Sequence, residues 1–348
     1  MRKLFLFFVF FMGIGYFYGG KIDQRPYKLD YKRMVINLPV AYVKDLHADH
    51  LALGEKYLAH DMIVELNRLG YEVKVYTKED TFSNHNFREG IELYMREEPE
   101  LVLERYHDFW DKDRISVLYE TIPYSDNVLK NADILFTGSL KKNRENLKKG
   151  YNSYFLPQFT LLDEFYNDYK EEYKSRLLYV ANRWDKKGLR KTIDYALRNN
   201  IELDVYGLGW DDVLVDDKEA WYKGKQIKNE ELRYYYSSAD IVLNDTREDM
   251  IKEGFISNRI FDATACGAFV ISDYIKEIEE LYGDSVVMYK NEEEFVKLVN
   301  YYLNNKEARL EKAKRAQEIT LSKFGSKKVI GEMVDIIENY VEKIEGVR

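Results

Sequence analysis

The 348-residue sequence contains a single cysteine and no excess of positive charge, and it has no apolar run longer than about 20 residues. One cysteine excludes an internal disulfide framework and a multi-cysteine zinc site. A net charge of −8 argues against general affinity for nucleic-acid phosphates, so no nucleic acid is expected among the partners. A composition of 45% hydrophobic and 33% charged residues is typical of a soluble globular protein. A length of 348 residues is enough for two ordinary domains or one large one.

Residues 1–33 combine an apolar segment with a basic linker. The segment at residues 4–18, LFLFFVFFMGIGYFY, follows two basic residues, and five Lys or Arg residues lie between positions 21 and 33. Because positive charge collects on the cytoplasmic side of a membrane, the domain that follows is expected to stay in the cytoplasm. An N-terminus attached to the inner face of the membrane is favoured over two alternatives, a cleaved secretory signal and an over-extended translation start.

Residues 34–160 alternate between strand and helix patterns. A helix is predicted over Glu55–Leu69 because apolar residues recur every three or four positions, and Gly70 ends it. A further helix is predicted over Leu140–Lys149. The predicted strands are MVINLPV, YEVKVYT, GIELYMR, RISVLYETIP, ADILFTG and NSYFLPQ. Alternation of this kind with right-handed crossovers indicates a Rossmann-like domain.

The second half repeats this alternation after a break. Residues 161–176 mix polar and aromatic side chains and are predicted to connect two domains. A second Rossmann-like domain is predicted over residues 177–325, which begin with the strand LLYVAN, a helix at 188–199 and the strand ELDVYG. Residues 326–348 are predicted to form a helix with one apolar stripe. The predicted fold class is therefore α/β with two Rossmann-like domains.

The most informative stretch is Gly254–Asp273, GFISNRIFDATACGAFVISD, which has the pattern of a loop, a short helix and a buried strand. At the helix N-terminus Ser257 and Asn258 are good capping types, and Arg259 adds positive charge in the first turn. Free backbone N–H groups and a cation suit a diphosphate, while Asp262 on the same face suits ribose hydroxyls. The alternative is an ordinary βα unit with Arg and Asp on its surface.

The single cysteine lies in the apolar part of this stretch. Gly267 is predicted to end the helix, and residues 269–272 are predicted to form a buried strand. Cys266 lies between these features, so we expect a small core residue rather than a nucleophile.

Three blocks of the second half carry a family resemblance: YYYSSADIVLND, SNRIFDATACGAFVISD and EEFVKLVNYYLNN. They resemble the sugar-nucleotide half of group 1 GT-B glycosyltransferases, in particular the subgroup similar to the spore-maturation protein CgeB. The resemblance covers residues 177–325 well and the first half in outline, and Asp262 stands where many relatives have Glu. It implies two Rossmann-like domains facing a cleft, with the acceptor bound by residues 34–160, the donor bound by residues 177–325, and a last helix that crosses back.

The resemblance implies a glycosyltransferase that moves a hexosyl or related sugar from a nucleotide-sugar donor to a glycan or other acceptor. Cations and helix N-termini can stabilise a leaving diphosphate, so neither a metal nor a cofactor besides the nucleotide-sugar co-substrate is expected. Two other functions stay open. They are a two-domain sugar or nucleotide binding protein without turnover, and a nucleotide-sugar epimerase.

Further donor-binding residues are expected on three connections of the second domain. The loop NRWDKKG supplies Arg183 and Lys187, since relatives commonly place an Arg and a Lys there as phosphate ligands; the alternative is a solvated turn. Gly207, in the turn YGLGW, allows backbone to approach a ligand closely. The resemblance also implies that the backbone near Gln226 and Ile227 contacts the nucleobase, as the corresponding backbone does in relatives.

On the acceptor side, the loop DLHADH offers Asp45, His47, Asp49 and His50. The sequence leaves both retaining and inverting reactions open. For an inverting reaction, His47, His50 and Asp49 are the candidates for the general base that deprotonates an acceptor hydroxyl. Plain surface polarity is the alternative, and a metal site built on the two histidines is disfavoured. The triplet Asp111-Lys112-Asp113 resembles the metal-binding D-x-D of GT-A transferases, but its position favours a solvated turn.

Overall fold

The computed structural model divides the chain into two compact units. Unit 1 comprises Met1–Thr137, Asn143–Leu156 and Ile330–Arg348, and unit 2 comprises Gly138–Lys142 and Pro157–Val329. The residues whose structure is described are 16–18, 21–23, 32–37, 54–76, 90–95, 114–130, 132–183 and 188–346. No described helix is long and apolar enough to span a membrane, and residues 4–15 of the predicted membrane-attaching segment lie outside the described residues.

Unit 1 is built on a parallel β-sheet. Its strands are β1 (Tyr16–Tyr18), β2 (Lys21–Asp23), β3 (Arg33–Asn37), β4 (Glu72–Tyr76), β5 (Gly90–Met95), β6 (Arg114–Glu120), β7 (Ile134–Thr137) and β8 (Ser153–Phe155). The first two pair as an antiparallel ribbon, and the others form a sheet in the order β4-β3-β5-β6-β7-β8. All four residues of β7 are buried, as expected of a parallel strand covered on both faces.

The described helices of the first half are short and end close to where the sequence predicts. They are α1 (Gly54–Arg68), α2 (Asp126–Leu129) and α3 (Leu140–Lys148). Leu58, Met62 and Leu66 are buried as the apolar spacing predicts, but Leu69 is 43% exposed because α1 ends one residue before it. Gly70 follows with a φ of +83°, a left-handed conformation that glycine adopts at no steric cost.

Unit 2 carries a second parallel sheet. Its strands are β9 (Ser175–Val180), β10 (Asp204–Tyr206), β11 (Tyr222–Gly224), β12 (Ala239–Asn244), β13 (Val270–Asp273) and β14 (Val287–Tyr289), in the order β11-β10-β9-β12-β13-β14. The chain starts in the middle at β9, builds outward through β10 and β11, and then crosses to β12 on the other side of β9. The strand order therefore reverses between β9 and β12, where Leu178 lies beside Val242.

The helices of unit 2 after β9 are α4 (Lys191–Arg198), α5 (Asn229–Ser238), α6 (Glu248–Glu253), α7 (Asn258–Ala265), α8 (Lys276–Tyr282), α9 (Glu292–Asn304) and α10 (Lys306–Lys323). Their order confirms the alternation expected from the sequence. The helix predicted over 188–199 begins three residues later than expected, at Lys191, and the strand predicted over 269–272 is shifted by one residue.

Each face of the unit 2 sheet has its own hydrophobic core. Tyr179 packs on one face with Trp210 and Phe295, while Leu178 packs on the other with Phe261. Successive residues of a strand point to opposite faces, so both cores are supplied by the same strands. Cys266 is fully buried in the second core, and burial raises the pKa of its thiol, which confirms the prediction of a core residue.

The last helix, α11 (Ser326–Gly346), carries the predicted apolar stripe. Seven of its apolar residues are buried: Val329, Ile330, Met333, Val334, Ile337, Val341 and Ile344. From Ile330 onward the helix belongs to unit 1. There Glu338 accepts hydrogen bonds from Lys32 Nζ at 2.6 Å and from Tyr71 Oη at 3.0 Å, which attaches the helix to the start of β3 and β4.

Candidate functional site

The candidate site lies at the carboxyl edge of the unit 2 sheet, beside the point where the strand order reverses. In open α/β sheets the connections on either side of such a point diverge and leave a crevice that binds ligands. Here the connection after β9 begins at Ala181, and the connection after β12 begins at Asp245. The N-terminus of α7 lies at the same edge, because α7 precedes the parallel strand β13.

A buried network joins the two connections that flank this crevice. Asp245 is 2% exposed, and its carboxylate accepts hydrogen bonds from Tyr179 Oη at 2.7 Å and from the backbone N–H of Thr192 at 3.0 Å. Arg190 donates from Nε to Asp245 Oδ1 at 2.7 Å. Its Nη2 and Nη1 reach the backbone carbonyls of Asp245 at 2.6 Å and Asn182 at 3.2 Å. The guanidinium therefore fixes both connections relative to each other.

Sequence reasoning did not select Arg190 or Asp245. Asp245 closes the block YYYSSADIVLND, and a polar residue directly after a buried strand is the signal that indicates it. Burial raises the pKa of Tyr179, so its phenol stays protonated and donates to the carboxylate.

A second buried carboxylate lies one strand further along the same edge. Asp273 Oδ2 accepts from the backbone N–H of Thr246 at 3.0 Å, and Oδ1 accepts from Ser272 Oγ at 3.1 Å. Burial and, secondarily, the negative charge of Asp245 raise the pKa of Asp273 to about 6. The connections after β12 and β13 are thus joined by a group that titrates just below neutral pH.

The raised pKa of Asp273 predicts a measurable pH dependence of stability. Protonation stabilises the folded state fully below the ordinary pKa of 3.8, and this stabilisation is lost as the pH rises through about 6. The full loss is about 3 kcal/mol, and roughly half of it falls between about pH 5 and 7.5. Urea unfolding of Asp273→Asn should therefore lack a decline in unfolding free energy of about 1.5 kcal/mol that the wild type shows over this range.

Asp284→Asn is the matched control for this experiment. Asp284 is exposed, and its hydrogen bonds to Lys312 and Arg315 lower its pKa to about 2, so its titration lies below the range tested. The Asp284→Asn variant should follow the wild-type pH profile. Parallel profiles for wild type and Asp273→Asn would contradict the assigned titration.

The N-terminus of α7 brings together the residues predicted from the sequence. Ser257 occupies the N-cap position with φ −65° and ψ 136°, as predicted, but its hydroxyl forms no capping hydrogen bond. Asn258 Nδ2 donates to Asp262 Oδ2 at 3.0 Å, while Asn258 Oδ1 is buried without a partner among the described residues. Asp262 is 9% exposed, so it is more buried than a surface acid.

Arg259 links this helix to the carboxyl edge of the sheet. Its guanidinium donates to the side-chain oxygen of Asn244, the last residue of β12, and Asn244 Nδ2 in turn donates to Ser272 Oγ at 2.9 Å. The side chain is half-buried. A positive charge and a helix N-terminus without a side-chain cap therefore lie together at the ends of β12 and β13, an arrangement that suits an anion.

Position 207 requires a glycine because another stretch of the protein backbone lies against it. Its φ is +140°, and a Cβ at this position would lie 2.0 Å from the carbonyl oxygen of Ala181. The close approach brings the ends of β9 and β10 together, where Leu208 N donates to Asn182 Oδ1 at 2.8 Å. The close contact with Ala181 is sufficient to explain why residue 207 is a glycine. The predicted role of Gly207 in donor binding stays a prediction.

Arg183 is engaged with its own surroundings. Its side chain is 8% exposed, and Nη1 lies 2.7 Å from Asp212 Oδ1. Nε donates to the carbonyl of Gly188 at 3.1 Å, which fixes the connection that leads into α4. Its predicted role as a phosphate ligand stays a prediction.

The other predicted site residues divide into two groups. Gln226 is exposed and Ile227 is half-buried, both on the connection between β11 and α5. The remaining predicted residues lie outside the described residues: His47, Asp49, His50, Lys187 and the triplet at 111–113.

Residues 186–335 match the family model described as "Glycosyl transferase-like". The matched range is less than half of the 348 residues. No curated protein sequence matches the chain. The matched range contains Arg190, Asp245 and the whole of α7, so it covers most of the candidate site.

Solved structures share the fold of the chain at low sequence identity. Sucrose-phosphate synthase from Thermosynechococcus elongatus has a TM-score of 0.66 at 12% identity, covering 88% of this chain and 98% of that one. Anabaena Alr3699/HepE in complex with UDP-glucose has a TM-score of 0.64 at 11% identity, covering 88% and 99%. An alpha-glucosyltransferase in complex with UDP and a 13-mer DNA has a TM-score of 0.60 at 12% identity, covering 88% and 99%.

The fold is the α/β GT-B fold with two Rossmann-like domains, as the sequence predicts. Residues 186–335 are similar to the glycosyl transferase-like family, and the solved structures that share the fold include an alpha-glucosyltransferase.

Proposed function

We propose that the chain transfers a sugar from a nucleoside-diphosphate donor and that unit 2 binds the donor. The observation that carries the proposal is the N-terminus of α7, where Arg259 and backbone N–H groups lie at the carboxyl ends of β12 and β13. A diphosphate bound there is stabilised by the guanidinium and by the positive end of the helix dipole. Asp262 is the candidate for the ribose hydroxyls.

Positive charge at this position also assists the chemistry. When the glycosidic bond breaks, negative charge grows on the leaving diphosphate, and preorganised donors aimed at it stabilise the transition state. Arg259 and the helix N-terminus supply such charge, so we propose a reaction that does not require a metal. Arg183 and Lys187 are proposed as further phosphate ligands on the neighbouring connection.

The nucleotide is proposed from the structural neighbours, and the acceptor is proposed from the sequence. HepE and the alpha-glucosyltransferase are described in complexes with UDP, which makes a uridine nucleotide the first candidate for this chain. Backbone near Gln226 and Ile227 is proposed to meet the base. The acceptor is proposed to be a glycan hydroxyl deprotonated by His47, Asp49 or His50, within the subgroup similar to CgeB, in a cytoplasmic enzyme attached to the membrane by residues 4–18.

The test is a thermal-shift titration with UDP, GDP, CDP and ADP, each with and without EDTA. One diphosphate should stabilise the protein selectively, by about 2.7 kcal/mol at a hundredfold excess over Kd. The shift should persist in EDTA if no metal is needed. It should be lost in Arg259→Ala and kept in Arg198→Ala, a control in which an exposed guanidinium that pairs with Asp194 is removed. If no diphosphate shifts the well-folded protein, the proposed donor site is wrong.

A further inference from the structure

Four side chains at the carboxyl ends of β12 and β13 form one chain of hydrogen bonds. It begins at Arg259, whose guanidinium donates to Asn244 Oδ1. Asn244 Nδ2 donates to Ser272 Oγ at 2.9 Å, and Ser272 Oγ donates to Asp273 Oδ1 at 3.1 Å. Asn244 and Ser272 are fully buried, so water does not interrupt the chain. We call Asn244, Ser272 and Asp273 the relay, because they connect a buried carboxylate with the cation of the candidate site.

The two ends of the relay set its direction. A guanidinium only donates hydrogen bonds, so Asn244 has to present its oxygen to Arg259 and its NH₂ group to Ser272. An ionised carboxylate only accepts hydrogen bonds, so the single hydroxyl hydrogen of Ser272 goes to Asp273. The orientation of the Asn244 amide that holds Arg259 therefore matches the ionised form of Asp273.

Protonation of Asp273 reverses this direction. Asp273 Oδ2 accepts from the backbone N–H of Thr246 at 3.0 Å, which leaves Oδ1 as the oxygen that can carry a proton. A protonated Oδ1 donates to Ser272 Oγ, so the hydroxyl hydrogen of Ser272 loses its acceptor and turns to Asn244. Asn244 accepts this hydrogen with its own oxygen, which brings its NH₂ group against the Arg259 guanidinium. Two donors do not bond to each other, so Arg259 loses this contact.

The ionised form of Asp273 is costly for the folded chain. Burial and, secondarily, the negative charge of Asp245 raise the pKa of Asp273 to about 6, while Lys191 lowers it. Arg190 and Tyr289 also interact with this carboxylate, and the pKa values of both are raised away from neutral pH. A neutral side chain at position 273 would avoid the cost. Only the ionised form, however, accepts hydrogen bonds with both oxygens, which the relay requires.

We propose that Asp273 is a positioning residue for the nucleotide-sugar donor, because its ionised carboxylate, acting through Ser272 and Asn244, holds the Arg259 guanidinium in the position that binds the diphosphate. This inference rests on the proposed function. Donor binding and the ionisation of Asp273 favour each other, since both stabilise the same direction of the relay. The enzyme therefore binds its donor more tightly above about pH 6 than below it.

The test measures the affinity for UDP-glucose by calorimetry between about pH 5 and 7.5, with GDP-mannose or ADP-glucose as the probe if UDP-glucose does not bind. The phosphates of these nucleotide sugars are diesters and do not titrate in this range, whereas the terminal phosphate of UDP does. Wild-type affinity should fall about tenfold from pH 7.5 to pH 5, the effect of one lost hydrogen bond to a charged group. At about pH 5.5, binding should also release about half a proton, which calorimetry in two buffers reports.

Two variants interrupt the relay at different points. Asp273→Asn reproduces the protonated form, since its oxygen accepts from Thr246 and its NH₂ group faces Ser272. Ser272→Ala removes the middle of the relay and leaves Asp273 able to titrate. Both variants should bind UDP-glucose about tenfold more weakly than the wild type at pH 7.5, without pH dependence or proton release. Urea unfolding of Ser272→Ala should still show a pH-dependent stability, and a purely structural role of Ser272 would not separate these two pH profiles.

Ser175→Ala is the matched control, because Ser175 at the start of β9 is also a buried serine that donates to a carboxylate, that of Asp204. It should keep the wild-type affinity at every pH. A wild-type affinity that does not change with pH, or a Ser272→Ala variant that keeps the wild-type pH dependence of affinity, would overturn this inference and leave the proposed function intact. If the wild type binds none of the three nucleotide sugars, the proposed function and this inference both fail.

Discussion

Replacing Arg259 by alanine is expected to lower kcat/KM for the sugar donor by about a hundredfold or more. Removal of one preorganised group that stabilises developing charge costs about 100- to 1000-fold in other enzymes. Arg259 fits this role because its guanidinium is held at the end of β12 by Asn244. A fixed cation needs little reorganisation when charge appears on the leaving group. The readout is steady-state release of nucleoside diphosphate from the donor.

Whether the loss of kcat/KM in Arg259→Ala comes from kcat or from KM distinguishes two possible roles of this arginine. A loss mainly in kcat indicates stabilisation of the transition state, whereas a higher KM at unchanged kcat indicates equal binding of the ground state and the transition state. Arg198→Ala, which removes a guanidinium from the far end of α4, should keep wild-type kinetics. An Arg259→Ala variant with wild-type kcat/KM and an unchanged urea midpoint would remove Arg259 from the mechanism.

The sequence predicts those parts of the fold that depend on local periodicity. Apolar residues three or four positions apart locate α1, and the glycine after it marks its end within one residue. The start of α4 is predicted less well. Arg190 keeps an extended backbone, with φ −72° and ψ 143°, while its side chain reaches Asp245, so a tertiary contact delays the helix to Lys191.

The same distinction holds within the candidate site. Ser257, Asn258 and Arg259 are recognised because a helix N-terminus is a local pattern of capping residues and charge. Arg190 and Asp245 are 55 positions apart and meet only because β12 lies beside β9. No local pattern contains the strand order, so these residues become visible only in the folded chain.

Breaking the Arg190–Asp245 pair is expected to lower the free energy of unfolding by about 3–5 kcal/mol, because removing one member leaves the other charge buried without compensation. Arg190→Met keeps much of the side-chain volume and leaves Asp245, which is 2% exposed, with Tyr179 and Thr192 as its partners. The measurement is urea unfolding followed by the fluorescence of Trp210 and Trp221, both buried in the core of unit 2.

A double-mutant cycle with Asp245→Asn isolates the pair from other effects of each substitution. Because the partners contact each other, Arg190→Met and Asp245→Asn combined should cost less than the sum of the single variants, by about 1–3 kcal/mol. Arg198→Met is the control, since its pair with Asp194 is exposed to solvent and should contribute less than about 1 kcal/mol. A coupling free energy near zero would mean that Arg190 and Asp245 act independently.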